Sequence, residues 1–168
     1  MKKVILFALI LAVCGVLHNS VLAQERPRYL VTYVRSAAQD SIIRSATVVT
    51  VVNQSSFQSC DVRVEWFRAG ASAPLCTEMA TMQPGAANQF CTRPLGGLIT
   101  VCSDPCQPQI AGVFQGTAIV SSSDVFECSL IAVDARVYYT TGTGNTDTAV
   151  SAISNSKVVF FGEGNLGD

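Results

Sequence analysis

Histidine is almost missing from this 168-residue chain, which contains a single one, His18. That residue falls in an N-terminal stretch that we expect to be removed on export, so the mature chain has none. Histidine is the usual general base of serine and cysteine hydrolases and the commonest metal ligand. The sequence therefore argues against those mechanisms, and a zinc site would need cysteines alone.

Charged residues are also scarce, at 14% of the chain. Without residues 1–23 the chain keeps nine basic residues, Lys157 and eight arginines, against twelve acidic ones, a net charge of about −3. The arginines are scattered, without a basic stripe or interleaved aromatic residues. Nucleic acid and anionic membrane are therefore poor candidates for partners.

The N-terminus has the pattern of a cleavable Sec-type signal peptide. Two lysines at positions 2 and 3 precede an apolar run at 4–17, and small or tolerated residues at 21–23 offer a cleavage site after Ala23. The run is shorter than the roughly 20 residues of a spanning helix, so we expect no transmembrane segment in the mature chain. These features predict a secreted, periplasmic or cell-surface protein.

The segment at 11–14 offers an alternative, because it resembles the box in which bacterial lipoproteins acylate a cysteine, here Cys14. The residue before that cysteine is normally small, whereas this chain has Val13. We therefore interpret Cys14 as one more apolar residue of the signal peptide.

Cysteine is the most informative residue type in the mature chain. Six follow the signal peptide: Cys60, Cys76, Cys91, Cys102, Cys106 and Cys128. In an oxidising compartment an even set favours three disulfides over zinc or a redox dithiol, although fifteen connectivities remain open. Local geometry favours Cys76 with Cys91 across the turn at 84–85 and Cys102 with Cys106. Cys60 and Cys128 would then form the long-range bond.

Short runs of β-branched residues separated by turn residues dominate the rest of the chain. They predict strands at 29–34, 46–52, 62–66, 75–82, 86–92, 98–102, 113–120, 130–139 and 150–161. The runs at 75–82 and 86–92 flank Pro84-Gly85 and predict a hairpin. A brief helical turn at 37–44 is a weak alternative to a loop, and 141–145 reads as a polar tip. We divide the mature chain into an N-terminal arm with the first strand (24–45), a core (46–161) and a frayed tail (162–168).

The clearest half-buried strand runs through 61–66. Val62, Val64 and Trp66 alternate with Asp61, Arg63 and Glu65, which places the apolar residues on one face and the charged ones on the other. Trp66 is the expected anchor of the core.

These elements predict an all-β fold, an antiparallel two-sheet immunoglobulin-like sandwich of about 7–9 strands stapled by disulfides, with a closed β-barrel as the alternative. The valine-rich strand ending at 52–56, the strand at 62–67, the turn at 82–85 and the strand at 114–121 resemble uncharacterised immunoglobulin-like modules of bacterial secreted and surface proteins. The resemblance covers roughly residues 46–140 and implies an architecture. Because such modules share no single activity, it assigns no functional residue.

Acid–base chemistry by carboxylates is formally possible without histidine. Asp61 with Glu65, or Asp124 with Glu127, could supply an acid and a base, but such pairs are recognised by their separation across a cleft. We expect Asp61 and Glu65 to form a solvated strand face instead.

Two further arrangements have an ordinary structural interpretation. Lys157 beside Ser156 is expected on the outer face of the last strand. Asn145 and Asp147 could offer oxygen ligands to calcium, but the dense acidic pattern of a calcium loop is absent, and we expect a polar loop there. The sequence predicts no catalytic residue, no cofactor and no metal.

The expected function is that of a non-enzymatic binding or structural module whose partner is a protein or a glycan of the cell envelope. One alternative is a fibre subunit that lends a terminal strand, around 29–34, to a neighbour's open sheet edge. The other is a small carboxylate-based hydrolase. The sequence leaves the oligomeric state open.

Overall fold

A computed structural model describes residues 27–37, 44–95, 114–122, 130–143 and 146–161. This part of the chain is all-β, with nine strands and no helix. The strands are β1 (Arg28–Ser36), β2 (Arg44–Asn53), β3 (Cys60–Arg68), β4 (Cys76–Met82), β5 (Ala87–Cys91), β6 (Phe114–Ser122), β7 (Ile131–Thr143), β8 (Thr146–Asn155) and β9 (Val158–Phe161). The predicted signal peptide, Cys14, most of the helical turn at 37–44, the strand at 98–102 and the tail at 162–168 lie outside the described residues.

All strand pairs are antiparallel, and the strands follow the order β4-β3-β6-β1-β2-β7-β8, with β5 on β2 and β9 on β1. The nine described strands fit the predicted range. At the two ends of this path, β4 and β8 do not pair with each other, so the sheet is open and curled. The closed barrel that the sequence left as an alternative is therefore wrong.

The sheet curls at the contact between β1 and β2. A single pair, Ser36 with Ala46, joins these two strands, while the N-terminal half of β1 pairs with β9. The strands on both sides of this contact contribute to one apolar core, which consists of Val31, Val34, Val49, Val51, Cys60, Val62, Val64, Trp66, Met82, Phe90, Phe114, Ala118, Val120, Ile131 and Ala135. We call the face that these residues share the inner face and the opposite one the outer face.

The alternation predicted from the sequence is confirmed on β3. Val62, Val64 and Trp66 are fully buried, whereas Asp61 and Arg63 are exposed. Glu65 departs from the prediction because its side chain is only 15% exposed. On β7 the same period buries Ile131, Ala135 and Val137 and exposes Asp134 and Arg136.

The predicted hairpin of β4 and β5 is wrong. The chain does turn at Pro84-Gly85, where Gly85 adopts a φ of 69°, but β4 pairs with β3 and β5 pairs with β2. The buried side-chain amide of Asn53, at the end of β2, donates to the backbone oxygens of Gln58, Met82 and Gln83. This amide holds the turn against β2, so the chain crosses from one ladder to another.

Two other expectations change. β1 was expected within an N-terminal arm, but it pairs with β6 along most of its length and contributes Val31 and Val34 to the core. The polar tip expected at 141–145 is shorter, because β7 continues through Thr143 and β8 begins at Thr146. Within the described ranges, no helix is long and apolar enough to cross a membrane.

Candidate functional site

A groove of about 230 Å³ lies on the outer face of the layer formed by β5, β2 and β7. Its lining residues come from these three strands: Val48, Thr50, Gln89, Asp134, Arg136 and Tyr138. We call it the outer groove.

The strand register brings these side chains together. Thr50 of β2 lies opposite Gln89 of β5 on one side and Asp134 of β7 on the other. Residues directly opposite each other in antiparallel strands point to the same face, and every second residue of a strand shares that face. The groove is therefore built on three adjacent strands and not on loops, which fixes the relative positions of its polar groups.

The groove has a polar half that can bind a ligand by hydrogen bonds. Arg136 and Asp134 form an ion pair, with 2.8 Å between Nε and Oδ2, and the two side chains are 52% and 55% exposed. Gln89 adds an amide and Thr50 a hydroxyl. Gln89 and Thr50 are partly buried, so the lining combines hydrogen-bond donors and acceptors of different exposure.

An apolar cluster continues the groove along the outer face. Ala46, Val48, Cys91 and Leu95 are buried there, and the half-exposed ring of Tyr138 packs against them. After β5 the chain continues along β2, where Thr92 N–H donates to Thr47 O (3.0 Å), and Leu95 then packs against this cluster. Tyr138 therefore offers a partly exposed aromatic surface beside the polar groups.

A buried ion cluster closes the far end of this face. Both carboxylate oxygens of Asp147 contact Arg93, at 2.7 Å and 3.3 Å. Arg44 Nη2 lies 3.1 Å from Oδ1, and Thr140 donates to the same oxygen at 2.7 Å. Arg93 also donates from Nε to Ser45 O (2.9 Å), which fixes the segment after β5 on the start of β2.

Two opposing effects act on the pKa of Asp147. Burial alone would raise it, but hydrogen bonds from Arg93 and Thr140 and the charges of Arg93 and Arg44 stabilise the carboxylate and hold the pKa below its ordinary value of 3.8. Asp147 is therefore ionised at neutral pH. Its oxygens are already occupied by guanidinium and hydroxyl groups, which leaves it unsuited to calcium, and Asn145 lies outside the described residues.

The acid–base pair considered from the sequence is not assembled. Asp61 and Glu65 share the outer face of β3 but stand four residues apart, which corresponds to about 13 Å, wider than the 5–9.5 Å of paired catalytic carboxylates. Thr81 donates to Asp61 Oδ1 at 2.6 Å, and Arg63 Nη2 lies 2.8 Å from Glu65 Oε1. Asp124 and Glu127 lie outside the described residues.

The other sequence candidates are also in structural roles. Ser156 Oγ donates to Tyr33 O, and Lys157 is exposed between β8 and β9, where its carbonyl accepts from Thr32 N–H (3.0 Å). In the described part of the chain, no group of three or more histidine, cysteine, aspartate or glutamate residues is placed to hold a metal ion.

The described cysteines lie in separate places. In the β3–β4 ladder, Cys60 is opposite Met82 and Cys76 is opposite Trp66, so these cysteines stand at opposite ends, roughly 20 Å apart. Cys91 lies in the outer-face cluster, whereas Cys60 and Cys76 border the inner core. The hairpin on which the pairing of Cys76 with Cys91 depended is absent. Cys102, Cys106 and Cys128 lie outside the described residues.

Sequence reasoning missed both the outer groove and the ion cluster. The sequence predicted a strand at 130–139, but nothing local connects Asp134 and Arg136 of that strand with Thr50 or Gln89. Arg44, Arg93 and Asp147 follow one another at intervals of 49 and 54 positions, so no motif could reveal their contact.

No protein-family model matches this sequence, and searches among curated proteins and among solved structures return no match either.

Proposed function

We propose that the protein is an exported, non-enzymatic β-sandwich that binds a hydroxyl-rich ligand, a glycan of the cell envelope, in the outer groove. The observation that carries this proposal is the convergence of an amide, a hydroxyl, an ion pair and a tyrosine ring on three adjacent strands.

The strand pairing supports the two-sheet interpretation. One group comprises β4, β3, β6, β1 and β9, the other β5, β2, β7 and β8, and one residue pair joins them. Residues of both groups meet in a single core. Two antiparallel layers that face a common core are the arrangement of a β-sandwich.

The chemistry of the groove favours a sugar. Sugar hydroxyls both donate and accept, which suits the carboxylate of Asp134, the guanidinium of Arg136 and the amide of Gln89. The ring of Tyr138 offers an apolar surface to the C–H groups of a sugar. At about 230 Å³, the groove is smaller than the roughly 300–1,000 Å³ of sites that enclose drug-sized ligands. This volume suits one sugar unit of a longer chain.

The engagement of the carboxylates supports a non-enzymatic role. Asp61 accepts a hydrogen bond from Thr81. Glu65 and Asp134 each pair with one arginine, and Asp147 pairs with two arginines. A catalytic acid or base needs to reach the proton that it transfers to or from the substrate, and these carboxylates contact other side chains of the protein instead. The hydrolase alternative therefore gains no support from these residues.

The fibre alternative requires a donor strand that is free to leave the sheet, and the expected donor is not. The donor would be the segment at 29–34, but this segment belongs to β1, which pairs with β6 on one side and β9 on the other. A strand that occupies the middle of its own sheet cannot be lent to a neighbour without unfolding the core.

Export and disulfide bonding remain part of the proposal. Because Cys60, Cys76 and Cys91 are too far apart or on opposite faces, three disulfides would require each of them to pair with one of Cys102, Cys106 and Cys128. The fifteen connectivities open to the sequence then reduce to six, among them the proposed bond of Cys60 with Cys128.

Binding to an array of immobilised glycans tests the function. We compare the wild type with Arg136→Ala, which removes the guanidinium of the groove, and with Arg63→Ala, which removes an exposed arginine on the outer face of β3. We expect the wild type and Arg63→Ala to bind at least one glycan of the array with similar affinity. Arg136→Ala should bind the same glycan at least about tenfold more weakly. Equal loss in both variants, or no binding at all, would contradict the proposal.

A further inference from the structure

β8 is exposed along both faces as well as along its edge. The eight residues 148–155 are all exposed, and among the described strands β8 pairs only with β7. Segment 148–156 contains no charged residue and no proline. Charged residues and proline are two of the features with which proteins protect an edge strand against pairing with another chain, and β-bulges are a third. Two irregularities in its pairing with β7 leave extra residues, Thr148 and Ser151, in its N-terminal half. The regular half, 152–155, is the part open to a further strand.

The backbone groups that face the open edge follow from one hydrogen bond. Ser156 N–H donates to Ala135 O at 2.9 Å, while Asn155 lies opposite Arg136. In an antiparallel ladder this makes Asn155 a residue whose own N–H and C=O point away from β7. By alternation the N–H and C=O of Ile153 also point to the open edge, whereas those of Ser154 point to β7.

We propose that this edge binds the β8 edge of a second copy of the chain, in an antiparallel arrangement around a two-fold axis through Ser154. Ile153 of each copy then lies opposite Asn155 of the other, and each such pair exchanges two backbone hydrogen bonds. Lys157 of one copy falls opposite Ser151 of the other, so no like charges meet. An uncharged strand can pair with its own copy without the repulsion that a charged edge would cause.

The side chains near the proposed two-fold axis favour a second copy of the chain as the partner. Ile153, 52% exposed, and Val150, 37% exposed, lie opposite Tyr138 and Thr140 and therefore share the outer face. In the proposed register the two Ile153 side chains become diagonal neighbours, with roughly 7–8 Å between their Cα atoms. The contact covers an apolar residue that the single chain leaves in solvent. A two-fold contact between identical edges closes on itself and gives a dimer and not a fibre.

The symmetry has a consequence for the outer groove. Two-fold axes in an antiparallel sheet stand perpendicular to it, so both outer faces point to the same side. The two β7 strands lie three strand spacings apart, about 14 Å. If the groove binds glycan, as proposed above, the dimer presents two sites to one polymer and gains affinity by avidity.

Sedimentation velocity over a range of protein concentrations tests the dimer directly. Ser154→Lys places two ammonium groups opposite each other at the axis, and Asn155→Pro removes an N–H that points to the open edge and is not needed within the chain. Both positions are exposed, so circular dichroism should show an unchanged fold. Ser72→Lys, in the exposed loop between β3 and β4, is the matched control.

We expect a concentration-dependent dimer for the wild type and Ser72→Lys, with a dissociation constant at least about tenfold higher in the two edge variants. A wild type that stays monomeric throughout would overturn the proposal, as would a dimer that neither edge variant weakens or a series of larger oligomers. Because this experiment contains no glycan, its failure would leave the proposed function of the groove standing.

Discussion

The indole of Trp66 donates a 2.9 Å hydrogen bond from Nε1 to Oε1 of Glu78 inside the apolar core. The two side chains are 0% and 1% exposed. In the ladder of β3 and β4, Trp66 lies opposite Cys76 and Glu78 lies opposite Val64, so the two are diagonal neighbours on the inner face. A buried carboxylate is costly without hydrogen-bond donors. The tryptophan thus fills the core and satisfies part of a buried acid.

We predict that Trp66→Ala lowers the free energy of unfolding by roughly 3–5 kcal/mol, the usual cost of truncating a large buried aromatic residue. Arg63→Ala, on the exposed face of the same strand, should cost no more than about 1 kcal/mol. Urea unfolding of both variants measures the difference. Similar midpoints would show that the two faces of β3 are wrongly assigned.

The conservative variant Trp66→Phe isolates the hydrogen bond. It keeps most of the ring but removes the donor to Glu78, and we expect a cost of about 1–3 kcal/mol for the lost bond, added to that of the smaller ring. A Trp66→Phe protein as stable as the wild type would mean that Glu78 does not depend on the indole.

The stability of the protein should fall in acid because of Asp147. Its pKa is lower in the folded than in the unfolded protein, so its contribution is complete above the unfolded value and is lost as the pH falls through the folded one. Asp147→Asn should therefore cost roughly 3–5 kcal/mol at pH 7, because it leaves Arg44 and Arg93 without their counter-charge. It should cost less below pH 4.

Urea unfolding between pH 7 and pH 2.5 measures this dependence, with Asp134→Asn as the control. Asp134 belongs to an exposed ion pair, so its loss should change stability by at most about 1 kcal/mol. A pH profile for Asp147→Asn that runs parallel to the wild type would contradict the role given to the ion cluster.

Gly116 of β6 is predicted to tolerate no side chain. A Cβ atom there would lie 1.8 Å from Phe67 O of the neighbouring strand, and we expect Gly116→Ala to cost about 3 kcal/mol or more. Gly70→Ala is the control, because Gly70 has open space around it but a φ of 79°, a strain of roughly 1–2 kcal/mol. Thermal unfolding compares the stability of the two variants, and we expect Gly116→Ala to be the less stable. The reverse order would show that the pairing of β3 with β6 is wrongly assigned.

Disulfide mapping of the exported protein should find three intramolecular bonds and no free thiol. Intact mass before and after reduction and alkylation counts them, and non-reducing peptide mapping identifies the partners. We predict that Cys76 is linked to Cys102, Cys106 or Cys128 and not to Cys91. A peptide that links Cys76 with Cys60 or Cys91 would contradict the strand register, and two or more alkylatable thiols would contradict the disulfides themselves.

Local pattern predicted the strands and their faces but not all of their partners. The alternation at 61–66 was sufficient to identify the buried face of β3, because side-chain direction depends on period alone. The turn at Pro84-Gly85 predicted a reversal of the chain, yet no local signal showed that Asn53 would attach that turn to β2. The ion cluster joins residues from three distant segments, and such contacts depend on the complete register of the sheet.

The most direct test of the outer groove as a binding surface is a titration followed by amide chemical shifts. The protein is labelled with ¹⁵N and titrated with the glycan that gives the highest signal on the array. We predict that the shifts concentrate at Thr50, Gln89 and Arg136, while Asp61 and Arg63 on β3 remain unchanged. Shifts that cluster on β3, or that leave Thr50, Gln89 and Arg136 unaffected at saturation, would contradict the account.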